Sequence, residues 1–413
     1  VSPSPSPEAS SSQNGRTSSS PMEFWKEGPN FNGEGERSRY LEMSDKEMAE
    51  HFNVREVMEK SLVLDSSPGM PYARFGKTNK DLLSSSFAVD FIISVVIRRL
   101  KLFLINDNVF SLNSEELVKG GYCDPVKIFI KTEPHKLAKL KLKKYRIISN
   151  VSVADQIVER ILFNDQNKLE IAEWKSCPSK PGMGLNDEGL AELFAEVQSR
   201  WDAGRETAES DVSGWDWSVP AWMLRLDAEA RIRIAGVSSD SPYAVCVKAR
   251  VHCLSNSVFY LSDGQMWAQL DDGVQLSGSF NTSSTNSRMR VMLGYLLGVT
   301  WLIAMGDDDV EDTLEDGTTP DYGKYGFPLK EYKKTDDRTF EFCSTRFPGN
   351  SLGYPANSNR MLYRYLSNSL SVRNSMPELR AQLVMELRNH PDKDSILAKL
   401  DSIVELESKP CQL

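Results

Sequence analysis

Acidic side chains recur at two places where a strand pattern ends in a turn. In SDVSGWDWSVP, Asp211 closes a strand-like run and Asp216 follows five residues later. In AMGDDDVED, an apolar run ends at a glycine that is followed by Asp307, Asp308 and Asp309. Carboxylates this close together repel one another unless cations bind them. The cluster therefore predicts a site for hard divalent ions, and paired ions would stabilise the attacking and leaving oxygens of a phosphoryl transfer.

A polar segment with regular spacing lies between these two acidic sites. The stretch LSGSFNTSSTNSRMRVMLGYLLG opens with Ser277 and Gly278 and then becomes an apolar helix pattern. Steps of four residues lead from Gly278 to Thr282 and to Asn286, so we expect these three near one face of a helix. Gly278 also lets the backbone approach a ligand closely. A polar helix face beside a carboxylate cluster favours a binding site over a purely structural helix.

Composition limits the class of protein. The chain has 413 residues, of which 40% are hydrophobic, so it can bury a full core. Its formal net charge of −9 argues against a surface that coats nucleic acid as a whole, although a local basic channel remains compatible with it. The six cysteines contain no Cys-x2-Cys pair, and we interpret them as reduced thiols of a cytosolic protein. The opening Val, without a signal segment, suggests a polyprotein cleavage point.

Strand and helix patterns alternate around the acidic sites. Strands are predicted at VKIFI (126–130), YRIIS (145–149) and TWLIAM (300–305), and the pattern turns helical after Tyr363. The apolar stretch from Phe87 to Ile105 is interrupted by charges in the manner of an amphipathic helix, so no membrane anchor is predicted. The alternation indicates an α+β fold.

The order Asp-x4-Asp, Ser-Gly-x3-Thr-x3-Asn and Gly-Asp-Asp resembles motifs A, B and C of the RNA-dependent RNA polymerases of RNA viruses. The flanking segments agree with this resemblance. IFIKTEPHKLAKLKLKKYRIIS is similar to motif F and SPGMP to motif G, while YGKYGFPLKEYKK is similar to motif D and TFEFCSTRF to motif E. The SPGMP and EFCS spellings are most similar to the polymerases of sobemoviruses and related plus-strand RNA viruses.

The resemblance implies a right-hand polymerase fold with fingers, an antiparallel palm sheet and a small helical thumb. The expected divisions are a disordered Ser/Pro-rich tail at 1–21, an N-terminal arm at 22–64, fingers at 65–200, palm with motif A at 201–224, a fingers insertion at 225–275, palm with motifs B to E at 276–347, and a thumb at 348–413.

The family's residue roles carry over by position. Asp211, Asp307 and Asp308 would hold Mg²⁺, for which Mn²⁺ can substitute, and Lys334 would donate a proton, although Lys330 and Lys333 leave that position open. Asp309 matches no family role. The expected nucleotide contacts are Lys131, Lys136, Arg146, Asp216, Ser277, Gly278, Thr282 and Asn286. The expected template path is Ser67, Pro68, Gly69 and Pro71, and the expected primer support is Phe342, Cys343 and Ser344.

Other interpretations stay open at this point. Three consecutive aspartates can be a solvated acidic turn, and the lysine-rich stretch can be an exposed basic face. A reverse transcriptase shares the carboxylates, but it needs an aromatic steric gate where Asp216 stands. A catalytically silent RNA-binding replication subunit would keep the fold alone. The resemblance implies RNA template, nascent RNA and ribonucleoside triphosphates as partners, with a genome-linked protein primer and other viral replication proteins as further candidates. It also implies the host cytoplasm, with membrane-associated complexes reached through partners, as the location.

Overall fold

A computed structural model describes residues 37–131, 137–335, 338–349, 352–371 and 376–408. The expected nucleotide contact Lys136 lies outside the described residues. The expected Ser/Pro-rich tail at 1–21 and the start of the expected arm lie outside them too.

The helices alternate with the strands along most of the chain. They are α1 (Arg37–Glu42), α2 (Asp45–His51), α3 (Val54–Ser61), α4 (Asn79–Leu83), α5 (Ser86–Ile105), α6 (Ser114–Lys119), α7 (Leu137–Lys141), α8 (Val153–Ala172), α9 (Asp187–Asp202), α10 (Trp215–Ser218), α11 (Ala221–Ala235), α12 (Pro242–Ser255), α13 (Thr282–Leu296), α14 (Ser358–Ser371), α15 (Met376–Glu386) and α16 (Lys393–Ser408). Short 3₁₀ turns span Tyr72–Phe75, Asp107–Ser111 and Tyr322–Tyr325.

The strands form three separate sheets. They are β1 (Val126–Ile130), β2 (Ile147–Asn150), β3 (Thr207–Val212), β4 (Val258–Tyr260), β5 (Met266–Ala268), β6 (Leu302–Met305), β7 (Asp308–Asp312), β8 (Leu329–Lys334), β9 (Phe340–Phe342), β10 (Thr345–Phe347) and β11 (Tyr354–Pro355). The sheet orders are β2-β1-β4-β5, β6-β7-β3-β8 and β11-β10-β9.

The sheet that carries both acidic segments is antiparallel throughout. Its strand β6 is buried on both faces, which explains its continuous apolar sequence. Leu302 and Ala304 pack with Val291 of α13, whereas Ile303 belongs to a second cluster with Phe340. Helices and an antiparallel sheet therefore confirm the predicted α+β class.

The turn between β6 and β7 consists of Gly306 and Asp307, because Met305 already pairs with Asp308. Gly306 has a φ of 67°, a left-handed conformation that glycine adopts without the steric penalty of a Cβ. Its N–H donates to Oγ of Ser287 on α13 at 2.8 Å. The tight turn thus places Asp307 at the tip of the hairpin.

The helices that precede the first sheet belong to the largest core of the molecule. Tyr40, Met48 and Phe52, from α1, α2 and the residue after α2, are fully buried in the same cluster as Ile92 of α5 and Ile157 of α8. The helix α5 covers the stretch predicted to be amphipathic. Within the described ranges, no helix has the length and apolarity needed to cross a membrane.

The last three helices have a small core of their own. Leu383, Leu387 and Leu400 are buried together with Tyr365. The two-residue strand β11 pairs with β10 and lies beyond the expected end of the palm at 347. The helical segment therefore begins with α14 at Ser358, five residues before Tyr363, where the sequence pattern was predicted to turn helical.

Candidate active site

The two acidic segments meet at one edge of the central sheet. Ser210 of β3 pairs with Asp309 of β7, and one residue further along these strands lie Asp211 and Asp308. Asp307 follows in the turn. Asp211, Asp307 and Asp308 are all accessible to solvent. The structure thus brings together the three carboxylates that the sequence predicted as metal ligands.

The other carboxylates of this group contribute to a raised pKa of Asp308. Its pKa is raised to about 6 by desolvation in the crevice and by the charges of Asp307, Asp309 and Asp211. Solvent still reaches the Asp308 side chain, so we regard the neighbouring carboxylates as the firmer cause. A cation bound here would remove the repulsion.

The third aspartate of the run has a different environment from the first two. Asp309 is buried and accepts a hydrogen bond from Arg290 of α13 at 2.8 Å and one from Ser210 Oγ at 2.9 Å. Arg290 also donates to Tyr322 Oη at 2.7 Å, and Tyr322 donates to Glu311 at 2.8 Å. Burial raises the pKa of Glu311, and the charge of Asp309 adds to this effect. Asp309 therefore anchors β7 to α13 and β3, a role that the sequence left unassigned.

The lysine nearest the carboxylates is Lys330, whereas the sequence had favoured Lys334. Asp211 pairs with Glu331 and Val212 with Leu329, so Lys330 is the extra residue of a β-bulge. Its Nζ donates to Asp211, and this hydrogen bond raises the pKa of Lys330. Lys334 lies further along β8 and pairs with Glu206 at 2.9 Å. The bulge becomes evident only from the pairing of β8 with β3, so the alternation of side chains in the sequence alone did not predict it.

A polar pair stands beside the carboxylates. Asn286 Nδ2 donates to Asp216 Oδ1 at 3.1 Å, and the indole N–H of Trp215 donates to Asn286 Oδ1 at 2.9 Å. Burial raises the pKa of Asp216 to about 6, against the opposing effect of the Asn286 hydrogen bond. Asp216 also lines a pocket, together with Ile147, Ser149, Trp217, Phe259 and Ser277.

The loop before α13 is docked on β2. Ser149 N–H donates to Ser277 Oγ at 3.0 Å, and Gly278 N–H donates to Ser149 Oγ at 3.2 Å. A Cβ on Gly278 would lie 1.9 Å from the carbonyl oxygen of Ser149, so only glycine fits. Gly278 thus precedes α13, which begins at Thr282, and the expectation that Gly278 shares its helical face is wrong.

Thr282 closes the same loop. Its hydroxyl donates to the carbonyl oxygens of Leu276 and Ser279, both at 2.9 Å. A hydroxyl has a single proton, so Thr282 has no further hydrogen to offer a nucleotide. The structure gives Thr282 loop-forming contacts, and its nucleotide contact stays a prediction, because the hydroxyl oxygen can still accept a hydrogen bond. Asn286, one turn later, is the residue that reaches Asp216.

A buried glutamate that the sequence pattern did not reveal holds this loop from the other side. Glu159 of α8 accepts from Ser279 Oγ at 2.6 Å and from Phe280 N–H at 2.7 Å, and it pairs with Arg250 at 2.6 Å. Its side chain has no solvent exposure. An ionisable residue inside the apolar pattern of VADQIVERILF was the available signal, because buried charges are almost always paired.

The carboxylates fit a divalent cation by their chemistry, since they supply only oxygen ligands and carry unrelieved negative charge. As the side chains stand, no three acidic, histidine or cysteine residues of the described segments are grouped closely enough to hold an ion. The carboxylate of Asp211 is engaged by Lys330. This contact is made through Oδ2, one of the two carboxylate oxygens that Asp211 could offer a cation.

Residues 46–373 match the family described as viral RNA-directed RNA-polymerase. The chain belongs to this family. It is 41% identical over 350 residues to the RNA-directed RNA polymerase of Mushroom bacilliform virus, with 82% of each chain covered. It is 42% identical over 309 residues to replicase polyprotein P2AB of Southern cowpea mosaic virus, covering 73% of this chain and 32% of the polyprotein. The chain thus spans about a third of that polyprotein.

A solved structure with a similar fold is the Sicinivirus 3Dpol RNA-dependent RNA polymerase. It has a TM-score of 0.52 and 15% sequence identity, and the match covers 73% of this chain and 64% of that one. The likeness confirms the right-hand polymerase fold. Family membership confirms the enzyme class, and polymerases of this family bind RNA and nucleoside triphosphates and use divalent metal ions.

The predicted basic contacts of this polymerase lie beside the first sheet. Lys131 N–H donates to the carbonyl of Arg146 at 2.8 Å, so the two residues flank the open end of the β1–β2 pair. The charge of Arg146 acts to lower the pKa of Asp216, against the larger effect of burial.

The predicted template-path segment packs against the start of α8. Val153 N–H donates to the Pro68 carbonyl at 2.8 Å, and Gly69 N–H donates to Ser67 Oγ at 3.3 Å. Gly69 also lies against Asn150 at the end of β2. The segment, which also includes Ser67 and Pro71, therefore lies beside the end of β2, the strand on which the loop before α13 is docked.

The predicted primer-support segment divides into a buried and an exposed part. Phe342 is buried in the palm core, so its ring cannot contact a primer and instead supports the hairpin from within. Cys343 and Ser344 form the turn between β9 and β10. The Cys343 thiol lies 3.2 Å from the sulfur of Met305, the residue before the Gly306–Asp307 turn.

Proposed function

We propose that this polymerase copies an RNA template by in-line attack of a primer 3′-hydroxyl on the α-phosphate of a ribonucleoside triphosphate. The observation that carries the proposal is the meeting of Asp211, Asp307 and Asp308 beside the hydrogen-bonded pair Asp216 and Asn286. The first group provides a place for the reacting phosphate, and the second provides a place for the sugar. Positioning and electrostatic stabilisation then supply most of the catalysis.

The metal ligands proposed are Asp211 and Asp307, with Asp308 as the nearby third carboxylate. Mg²⁺ is the proposed ion, and Mn²⁺ is a substitute with similar ligand preference. When bound, paired ions stabilise the attacking and leaving oxygens of the displacement. Asp309 has no part in this, because its carboxylate is committed to Arg290 and Ser210.

Cationic side chains are proposed to hold the triphosphate. Lys131, Lys136 and Arg146 come from the segment similar to motif F, and the charge of Arg146 acts to lower the pKa of Asp216, which lines the pocket. Lys330 is the proposed proton donor to the leaving pyrophosphate, because its ammonium group reaches Asp211. The position of Lys334 beside Glu206 does not support the same role for that residue.

Sugar choice is proposed to depend on Asp216 and Asn286. Both are polar, Asp216 lines the pocket, and Asn286 is hydrogen-bonded to Asp216. A ribose 2′-hydroxyl would complete their hydrogen bonding, whereas a deoxyribose would leave part of it unsatisfied. An acidic residue at the place where a reverse transcriptase needs an aromatic gate supports RNA synthesis.

The remaining assignments rest on the family resemblance and on where the segments lie. Ser67, Pro68, Gly69 and Pro71 are proposed to guide the template, and Cys343 and Ser344 to support the primer end. We propose a genome-linked protein as the primer and other viral replication proteins as partners. Host cytoplasm is the proposed site of action, with replication complexes on membranes reached through those partners.

The test is metal-dependent incorporation of a labelled ribonucleotide on a defined RNA template. We expect product in reactions with Mg²⁺ and with Mn²⁺, and no product when a chelator removes the divalent ions. The same template with and without an annealed primer, and with a candidate genome-linked protein, separates the modes of initiation. Template binding without incorporation under all conditions would indicate a silent RNA-binding subunit instead.

A further inference from the structure

Trp215 is held rigidly next to the sugar pair. Its side chain is 2% exposed and stacks on Phe327 with the ring centroids 4.8 Å apart. The guanidinium of Arg290 lies 5.9 Å from the ring centroid of Trp215. With the ring fixed by this packing, the indole N–H points at Asn286 Oδ1 over 2.9 Å.

This hydrogen bond has only one possible polarity. An indole N–H donates and never accepts, so the atom of Asn286 that faces it must be the carbonyl oxygen. The amide nitrogen then faces Asp216, where the distance is 3.1 Å. A flipped amide would set N–H against N–H at Trp215 and oxygen against carboxylate at Asp216. The two contacts therefore select the same orientation of Asn286.

Asp216 alone is a weaker constraint than Trp215. Burial raises the pKa of Asp216 to about 6, and a protonated carboxyl could donate to a flipped Asn286 carbonyl. The indole N–H has no second protonation state near neutral pH. Trp215 is thus the contact that holds the amide orientation regardless of the charge on its neighbour.

We propose that Trp215 is a specificity-positioning residue, which locks the Asn286 amide so that its nitrogen faces Asp216 and the sugar of the incoming nucleotide. The inference rests on the proposed role of Asp216 and Asn286 in sugar choice and adds the residue that fixes their geometry. Trp215 itself does not touch the nucleotide. It acts through Asn286.

The experiment compares Trp215→Phe with wild type and with Trp201→Phe. Phe keeps an aromatic ring against Phe327 and removes the N–H. Trp201 is a matched control, because its N–H also donates to one side chain, Thr207 Oγ1 at 2.8 Å, in the palm core. Each protein is assayed for kcat/KM with one ribonucleotide and its deoxy analogue on one template. Asn286→Ala is assayed in parallel.

We expect Trp215→Phe to lower the ratio of ribonucleotide to deoxynucleotide kcat/KM by about 5- to 10-fold, as for loss of one buried hydrogen bond. The deoxynucleotide value should change little, and Trp201→Phe should keep the wild-type ratio. If Trp215→Phe does not fold, 3-benzothienylalanine at position 215 keeps the two-ring shape and removes only the N–H.

Two results would overturn the inference, and they differ in whether the proposed sugar role of Asp216 and Asn286 fails as well. If Asn286→Ala lowers the ratio but loss of the Trp215 N–H does not, Trp215 is a packing residue and the sugar role of the pair stands. If neither change moves the ratio, the sugar role of Asp216 and Asn286 fails and the inference fails with it.

Discussion

Arg290 and Asp309 form an ion pair of 2.8 Å whose two side chains have no exposure to solvent. Arg290 lies one helical turn after Asn286 on α13, and Asp309 follows directly after Asp308 on β7. Ser287, which lies between Asn286 and Arg290 on this helix, accepts a hydrogen bond from the N–H of Gly306 in the Gly306–Asp307 turn. One face of α13 thus contacts Asp216 through Asn286, the Gly306–Asp307 turn through Ser287, and strand β7 through Arg290.

Asp309→Ala should lower the free energy of unfolding by about 3–5 kcal/mol, because it leaves the buried Arg290 charge without its closest carboxylate. Chemical denaturation measures the change. The control is Asp401→Ala, which breaks the half-exposed pair with Arg380 and should cost about 1 kcal/mol or less. A loss no larger than that of the control would show that Glu311, 3.8 Å from Arg290, takes over as partner.

Asp307→Ala should abolish nucleotide incorporation and leave template binding nearly unchanged, because it removes a metal ligand and no phosphate-binding cation. Primer extension and RNA binding are measured on the same preparation. Asp316→Ala is the matched control, since Asp316 is also exposed and its carboxylate bonds only within its own loop, to Thr318. Turnover near the wild-type level in Asp307→Ala would remove this residue from the site.

Lys330→Ala should lower kcat by about 100-fold or more with little change in nucleotide KM, as expected for loss of a proton donor in the transition state. Lys334→Ala removes an ammonium group of the same strand, but one that pairs with Glu206, and should leave kcat within a few-fold of wild type. Steady-state kinetics on a primed template give both constants. The reverse ranking would return the role to Lys334, as the sequence had suggested.

Arg146→Ala should raise the KM for all four ribonucleotides to the same degree, because a triphosphate contact carries no information about the base. The control is Lys144→Ala, a neighbouring exposed cation of the same basic stretch. Single-nucleotide incorporation opposite each template base gives the four values. An effect confined to one base would contradict the triphosphate role.

Much of the site followed from local sequence. The strand VKIFI coincides with β1, and the apolar run before Gly306 became β6, so the carboxylates of the turn were placed correctly. The strand β6 was predictable because both of its faces are buried, whereas β1 was predicted from its β-branched and aromatic residues, although Phe129 and Ile130 are exposed. The order of the motifs then identified the family before any contact was known.

The residues that sequence reasoning missed depend on partners far along the chain. The bulge at Lys330 appears only when β8 is paired with β3, about 120 residues earlier. Glu159 finds its loop partners 120 and 121 residues later. The Trp215 N–H finds Asn286 at a separation of 71 residues. No window on the sequence contains both members of such a pair, so the sequence left Lys330 as one of three candidate lysines and identified no role for Glu159 or for the Trp215 N–H.

The contact of Gly278 with Ser149 makes two parts of the polymerase one mechanical unit. A side chain at position 278 would meet the Ser149 carbonyl at 1.9 Å, and the two segments also exchange hydrogen bonds through Ser277. A substitution that displaces β2 is therefore expected to displace the loop before α13 as well. Changes made on the first sheet should then affect the position of Asn286, although they lie outside its helix.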